Sequence, residues 1–127
     1  MQAIIPAAGM GKRLGAETAD KTKAMVAIHE KTLIERCLDA LVENGIERVI
    51  LVVGYQKDKL KKLIGSSYKD IEVVYVENNI FSTTNNIYSV YLARHYLIED
   101  DTILIESDLV FDPKLISILI KNPTENL

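Results

Sequence analysis

The stretch from Ala3 to Gly15, AIIPAAGMGKRLG, decides the fold of this chain. A short apolar run ends in a loop of small residues and glycines, and Lys12 and Arg13 follow at once. Glycine lets a backbone approach a ligand without a Cβ, and bare amide groups with the positive pole of a following helical turn favour an anion. The stretch therefore predicts a buried strand that leads into a phosphate-binding loop.

Two well-known phosphate loops do not match this spacing. The kinase and ATPase loop, GxxxxGK followed by Ser or Thr, requires a hydroxyl residue where Arg13 stands. The dinucleotide loop, GxGxxG, begins well with Gly9 and Gly11, but its third glycine is out of register. The second predicted strand also ends in Gly54 and not in the acid that would bind a ribose. The first interpretation fails and the second is weak.

Downstream of the loop, strand and helix patterns alternate. Thr32 and Glu35 form a capping-box pattern before an apolar helical face that Asn44-Gly45 ends, and the apolar run Arg48–Val53 predicts a central parallel strand. The remaining predicted elements are a helix over Gln56–Ile64, a strand over Ile71–Val76, a helix from about Asn85, a strand over Thr102–Ile105 and a helix over Pro113–Lys121. This alternation predicts an α/β fold, a Rossmann-like parallel sheet with helices on both faces, in which residues 1–127 form one domain.

Helical periodicity also predicts which side chains face the core. In the second helix these are Leu60, Leu63 and Ile64, while its four lysines form a solvated face. For the helix after Asn85, the shared face comprises Ile87, Val90, Tyr91, Arg94 and Leu97. Cys37 falls within the apolar stripe of the first helix, so we expect a core residue and not a nucleophile.

Composition excludes several classes of partner. The net charge of −3 argues against a nucleic-acid surface, and no apolar run is long enough to cross a membrane. The chain also lacks a basic and apolar leader, and its single cysteine cannot form an internal disulfide. We therefore expect a cytoplasmic protein without nucleic-acid or membrane partners.

Three separate segments, AAGMGKRLG, KTKAMV and KTLIER, resemble the signature of the nucleotidyltransferases (NTP transferases) that activate sugar phosphates and phosphocholine. The resemblance implies a nucleotide-diphospho-sugar transferase type of α/β fold. It also implies Mg²⁺-dependent transfer of a nucleoside monophosphate with release of pyrophosphate. The family's lysine corresponds to Lys23, although Thr22 replaces the usual proline before it and Lys21 could take the same role.

The same resemblance implies a role for each candidate site residue. Lys23 and Arg13 are the catalytic residues, and Asp108 in the segment ILIESDLVF is the Mg²⁺ ligand. The residues expected to bind the nucleotide are Ala7, Ala8, Gly9, Gly11, Lys12 and Arg13 around its phosphates, and Thr83, Asn85 and Asn86 near its base. Strand order predicts that the loop after the first strand and Asp108 after the fourth meet where that order reverses.

The segment NNIYSVYLA, from Asn85 to Ala93, looks like the corresponding helix start in bacterial phosphocholine and aminoethylphosphonate cytidylyltransferases. It favours CTP as the nucleotide and phosphocholine or 2-aminoethylphosphonate as the acceptor. The second interpretation is a sugar-1-phosphate enzyme that uses UTP, dTTP or GTP, and a third is a non-catalytic nucleotide-binding module. Tyr88 and Tyr91 could face a cationic headgroup or simply pack.

The family supplies a second carboxylate and most acceptor-binding residues later in its domain. We therefore expect this chain to be the N-terminal part of that domain or a minimal relative. The acceptor and the oligomeric state stay open at this point.

Overall fold

The computed structural model describes residues 1–8, 25, 27–28, 30–80, 86–106 and 114–121. In chain order the elements are β1 (Gln2–Ala7), β2 (Ala27–Ile28), β3 (Lys31–Thr32), α1 (Leu33–Glu43), β4 (Arg48–Val53), α2 (Lys57–Ile64), β5 (Ser67–Tyr68), β6 (Ile71–Glu77), α3 (Asn86–Leu92), a 3-10 helix (Arg94–Ile98), β7 (Thr102–Leu104) and α4 (Lys114–Lys121). Within these ranges, no helix has both the length and the apolar character needed to span a membrane.

Five of the strands form the main sheet, in the order β5-β6-β4-β1-β7. The strands β6, β4, β1 and β7 are parallel to one another, and β5 pairs antiparallel with β6 at the edge. Strands β4 and β6 lie on one side of β1 and β7 on the other, so the strand order reverses beside β1. The predicted parallel sheet is confirmed, with a short antiparallel edge strand that the sequence did not indicate.

Helix α1 begins with the predicted capping box. The Thr32 hydroxyl accepts from the Glu35 amide at 3.2 Å, and the Glu35 carboxylate accepts from the Thr32 amide at 3.2 Å. The helix ends at Asn44, and Gly45 takes a φ of 73°. Its apolar stripe is buried, and burial raises the pKa of the Cys37 thiol to about 12, so the expected core role of Cys37 is confirmed.

Apolar side chains cover both faces of the sheet. On one face, Ile5 and Leu51 belong to a core cluster that also contains residues of α1, α2 and α4. The other face carries a smaller cluster that includes Ile4, Ile50 and Ala93. Because successive residues of a strand point to opposite faces, these two clusters lie on opposite sides of the sheet. The predicted helices on both faces are confirmed.

Two predicted helix faces are wrong in part. In α2, Leu60 and Ile64 are buried as expected, but Leu63 is 43% exposed because the short helix turns only an i,i+4 pair to the core.

The helix expected after Asn85 is divided: α3 ends at Leu92 and a 3-10 helix follows. Ser89 and Ala93 are buried instead, whereas Ile87 (78%), Tyr91 (53%) and Leu97 (45%) are exposed. The buried face of this segment thus consists of a small polar residue and an alanine, and not of the predicted larger side chains.

A charged cluster joins α1 to the edge strand β5. The Asp39 carboxylate accepts from Lys69 Nζ at 2.8 Å and from the Tyr68 hydroxyl at 2.8 Å, and it also pairs with Lys31. Burial alone would raise the pKa of Asp39, but these three hydrogen bonds outweigh burial and lower the pKa to about 2. The cluster therefore holds an ionised carboxylate between three elements of the fold.

Candidate functional site

The carboxyl ends of the parallel strands define the candidate site. The register pairs Ala7 of β1 with Val53 of β4, and Val53 with Glu77 of β6, so these three strands end at the same edge. On the other side of β1, the Ile105 amide donates to the Ile4 carbonyl at 3.0 Å and continues the ladder just beyond β7. Ligands of open α/β sheets bind at this edge, where the strand order reverses.

The two residues that precede the predicted phosphate loop, at the end of β1, are buried. Ala7 and Ala8 are 4% and 2% exposed, and Ala8 packs in the smaller core cluster. The Ala8 carbonyl accepts from the Tyr55 amide at 3.1 Å, which ties the start of the loop to the corner between β4 and α2. The direction in which the chain enters the loop is thus set by packing and by a backbone hydrogen bond.

Next to this corner lies a second charged group. Lys57 and Lys61 of α2 bind the two oxygens of Glu77 at 3.0 and 2.6 Å, and Lys57 Nζ lies 3.5 Å from Asn79 Oδ1. Hydrogen bonds from Lys61 and Lys57 lower the pKa of the Glu77 carboxyl to about 2. Two of the four lysines expected on a solvated face therefore form ion pairs at the carboxyl end of β6.

Asn78, immediately after β6, is a polar residue buried at the site edge. Its side chain is 1% exposed; Oδ1 accepts from the Ile80 amide at 3.0 Å, and Nδ2 lies 3.3 Å from the hydroxyl oxygen of Ser89. Its own amide donates to the Val53 carbonyl at 2.7 Å. Sequence reasoning missed both Asn78 and Ser89, because nothing in a polar loop distinguishes a buried asparagine from the exposed ones beside it.

The described ranges contain only part of the predicted site. Ala7 and Ala8 lie at the end of β1, and Asn86 is the first residue of α3. The remaining candidates lie outside the described residues: Gly9, Gly11, Lys12, Arg13, Lys23, Thr83, Asn85 and Asp108. What the structure does show is that β1 and β7, the strands that precede the loop and Asp108 in sequence, are parallel neighbours in the sheet.

The two tyrosines considered for a cationic headgroup contact groups of the chain itself. The rings of Tyr88 and Tyr91 stack with centroids 6.1 Å apart. The Arg94 guanidinium lies 3.9 Å from the Tyr91 ring centroid and donates to the Tyr91 carbonyl at 2.9 Å. An intramolecular cation thus lies on one ring face of Tyr91, which favours the packing interpretation for that residue.

No group of three or more His, Cys, Asp or Glu side chains suited to a metal ion occurs among the residues that the structure describes. Glu106 is exposed and lies two residues beyond β7. In sequence, it precedes the predicted ligand Asp108 by two residues. Mg²⁺ needs only one or two carboxylates when phosphate oxygens and water complete its shell, so a dense acidic cluster is not required.

Comparison with known proteins places the chain in a family. The family model of the MobA-like NTP transferase domain matches residues 3–126. The chain belongs to the MobA-like NTP transferase family. The predicted likeness to nucleotidyltransferases is therefore confirmed, and the nucleotide-diphospho-sugar transferase type of fold agrees with the parallel sheet described above.

Relatives within the MobA-like NTP transferases include cytidylyltransferases. The chain is 35% identical to the CMP-5'-(3-aminopropyl)phosphonate synthase of Streptomyces rubellomurinus, over 97% of this chain and 19% of that protein. It is 39% identical to the choline-phosphate cytidylyltransferase of Streptococcus pneumoniae, over 84% of this chain and 47% of that protein. The solved structure of the CTP:phosphocholine cytidylyltransferase from Streptococcus pneumoniae matches with a TM-score of 0.71 at 36% identity, covering 88% of this chain and 47% of that one. The chain thus spans less than half the length of each of these relatives.

Proposed function

We propose that this chain forms the nucleotide-binding side of a site that transfers CMP from CTP to a phosphorylated small molecule. Phosphocholine and 2-aminoethylphosphonate are the favoured acceptors, and pyrophosphate is the second product. The observation that carries this proposal is the hydrogen bond from Ile105 to Ile4, because it shows that β7 runs parallel to β1 as its direct neighbour, so that both strands lead toward the same edge of the sheet. The likeness to a choline-phosphate cytidylyltransferase supports the choice of cytidine.

The reaction joins two anions, so positioning and charge neutralisation dominate its catalysis and no protein nucleophile is needed. In this proposal the backbone of residues 7–11, together with Lys12 and Arg13, binds the β and γ phosphates that leave as pyrophosphate. Lys23 stabilises the negative charge that develops at the α phosphorus while the acceptor oxygen attacks in line. The burial of Ala7 and Ala8 supports this role. When the first residues of a loop are held in place by packing, less conformational entropy is lost when its amides bind a phosphate.

Asp108 is the proposed Mg²⁺ ligand. In sequence it follows Ile105 by three residues, and Ile105 extends the ladder just beyond β7. Bound there, the metal ion would neutralise phosphate charge. Since the substrate is CTP and the one cysteine is a buried thiol, a reducing, cytoplasmic location is part of the same proposal.

Thr83, Asn85 and Asn86 are the proposed readers of the cytosine base. In sequence, they lie between the carboxyl end of β6 and the first residue of α3. Amide side chains can donate to the carbonyl oxygen and ring nitrogen of cytosine and can accept from its amino group. Such an arrangement would discriminate against uracil, whose donor and acceptor positions differ.

Isothermal titration of the chain with CTP, UTP, dTTP and GTP in the presence of Mg²⁺ tests this proposal. We expect CTP to bind at least tenfold more tightly than UTP, since a site built around one pattern of hydrogen bonds penalises the wrong pattern. A preference for a purine nucleotide would contradict the cytidine assignment. Binding of none of the four would contradict a nucleotide site altogether.

A second assay separates an enzyme from a binding module. Pyrophosphate release from CTP is measured on the full-length protein, with phosphocholine or 2-aminoethylphosphonate as the acceptor. Release that needs both the acceptor and Mg²⁺ supports the transferase. Tight CTP binding without any release, under conditions in which a related cytidylyltransferase turns over, supports the non-catalytic module instead.

A further inference from the structure

Asn78 and Ser89 form a buried polar pair beside the candidate site, and neither belongs to the residues proposed to contact the nucleotide. Both are almost fully buried, at 1% and 2% exposure, and their side chains lie within 3.3 Å of each other. Ser89 lies on α3, one turn before Ala93, which packs in the smaller core cluster. The pair therefore joins the end of β6 to the buried face of α3.

Stability alone does not explain a polar pair at this place. Burying an amide and a hydroxyl costs free energy that their hydrogen bonds offset, and two apolar side chains of similar volume can pack as stably. What hydrogen bonds add is direction, because they are satisfied in one relative arrangement of the two elements. A polar pair in an otherwise apolar contact thus fixes how α3 sits on the sheet.

Asn78 forms hydrogen bonds with different parts of the described chain. Its backbone amide bonds to Val53 at the end of β4, its Oδ1 turns the chain toward Ile80, and its Nδ2 reaches Ser89 on α3. In sequence, Thr83, Asn85 and Asn86 lie between Asn78 and Ser89. Loss of the Asn78–Ser89 contact would let α3 shift relative to the end of β6.

We propose that Asn78 and Ser89 are positioning residues for base selection, which hold α3 against β6 so that cytosine is bound in preference to uracil. This inference rests on the proposed function. It predicts that loss of the pair lowers the preference for CTP over UTP by about three- to tenfold, as expected for the loss of one well-placed hydrogen bond. Binding through the phosphates, which both nucleotides share, should change less.

The test compares Ser89→Ala, Asn78→Leu and the double variant with the unchanged chain. The ratio of the UTP and CTP dissociation constants is measured by titration calorimetry, and stability is measured by thermal unfolding. Ser89→Ala removes one hydroxyl and leaves the Asn78–Ile80 turn in place, so it should fold even if Asn78→Leu does not. The double variant should lose no more selectivity than Asn78→Leu, because both changes break the same contact.

Gln2→Leu is the matched control. Gln2 is also a fully buried amide, with its Nε2 2.6 Å from the Tyr96 carbonyl and 2.9 Å from the Thr102 hydroxyl, but it lies at the opposite, amino-terminal edge of the sheet. We expect it to lower the melting temperature without changing the UTP-to-CTP ratio.

If Ser89→Ala and Asn78→Leu lower stability like the control and leave the ratio unchanged, the pair is only structural and the inference is wrong. If the unchanged chain binds neither nucleotide, the proposed function fails, and the inference fails with it; that result is visible before any variant is made. If the unchanged chain binds both nucleotides equally, the cytidine assignment and this inference are both contradicted, while a pyrimidine nucleotide site remains.

Discussion

Asp39 is a single residue whose neighbours determine how stability depends on pH. Its carboxylate accepts hydrogen bonds from Lys31, Lys69 and Tyr68, which belong to β3, to the turn after β5 and to β5 itself. These bonds lower its pKa from 3.8 to about 2. Because the pKa is lower in the folded state, the folded chain binds this proton less readily than the unfolded chain does.

From this follows a loss of stability in acid. The contribution of Asp39 is fully present above pH 4 to 5 and disappears as the pH falls through about 4 toward 2; it amounts to up to about 2 kcal/mol. Urea unfolding at pH 6 and at pH 2.5 measures the change. Asp39→Asn should be less stable than the unchanged chain at pH 6, and this difference should fall to less than about half at pH 2.5.

Asp70→Asn, at an exposed aspartate beside Lys69, is the control and should change stability little at either pH. An equal loss for both variants at pH 6 would contradict the role of the Asp39 cluster.

Lys21 and Lys23 allow a second test at this scale, since only one of them can be the family's lysine. We expect Lys23→Ala to lower kcat by about a hundredfold or more, as is typical when a group that stabilises transition-state charge is removed. Lys21→Ala should lower kcat by less than about fivefold. Initial rates of pyrophosphate release by the full-length protein at saturating CTP measure both, and the reverse order would assign the role to Lys21.

Among the elements, those with a local signal were predictable and those set by distant contacts were not. Helix α1 follows from its cap, its stripe and its terminal glycine, all of which are encoded within a few residues. Strand β5 has only two residues and exists because it pairs with β6, and the division between α3 and the 3-10 helix reflects packing on the sheet. The spacing of apolar residues within those segments does not indicate such contacts.

The capping box of α1 gives a prediction for one element. Thr32→Ala removes the oxygen that accepts from the Glu35 amide, and we expect the free energy of unfolding to fall by about 1 kcal/mol. Thr32→Ser keeps that oxygen and should change the free energy of unfolding by less than half as much. Urea unfolding at neutral pH measures both variants. Equal losses would show that the Thr32 methyl group, and not the cap, stabilises this end of the helix.

For the whole molecule, the sequence was enough to predict the parallel sheet but not the contacts that hold its carboxyl edge. Alternating strands and helices, with right-handed crossovers, lead to the order in which β7 joins β1. The anchors at the site edge could not be predicted, because the bonds from Tyr55 to Ala8 and from Asn78 to Ser89 join residues that only the folded sheet brings together. The roles of Lys12, Arg13, Lys23 and Asp108 remain predictions that rest on the family motif.

The most direct test of the central proposal is the Mg²⁺ dependence of CTP binding in Asp108→Asn. Asp101→Asn, at the residue immediately before β7, is the matched control. Titration calorimetry with Mg²⁺ and with EDTA should show that Mg²⁺ tightens CTP binding at least tenfold in the unchanged chain and in Asp101→Asn, and by less than about twofold in Asp108→Asn. An undiminished effect of Mg²⁺ in Asp108→Asn would contradict a nucleotidyl-transfer site at the meeting point of β1 and β7.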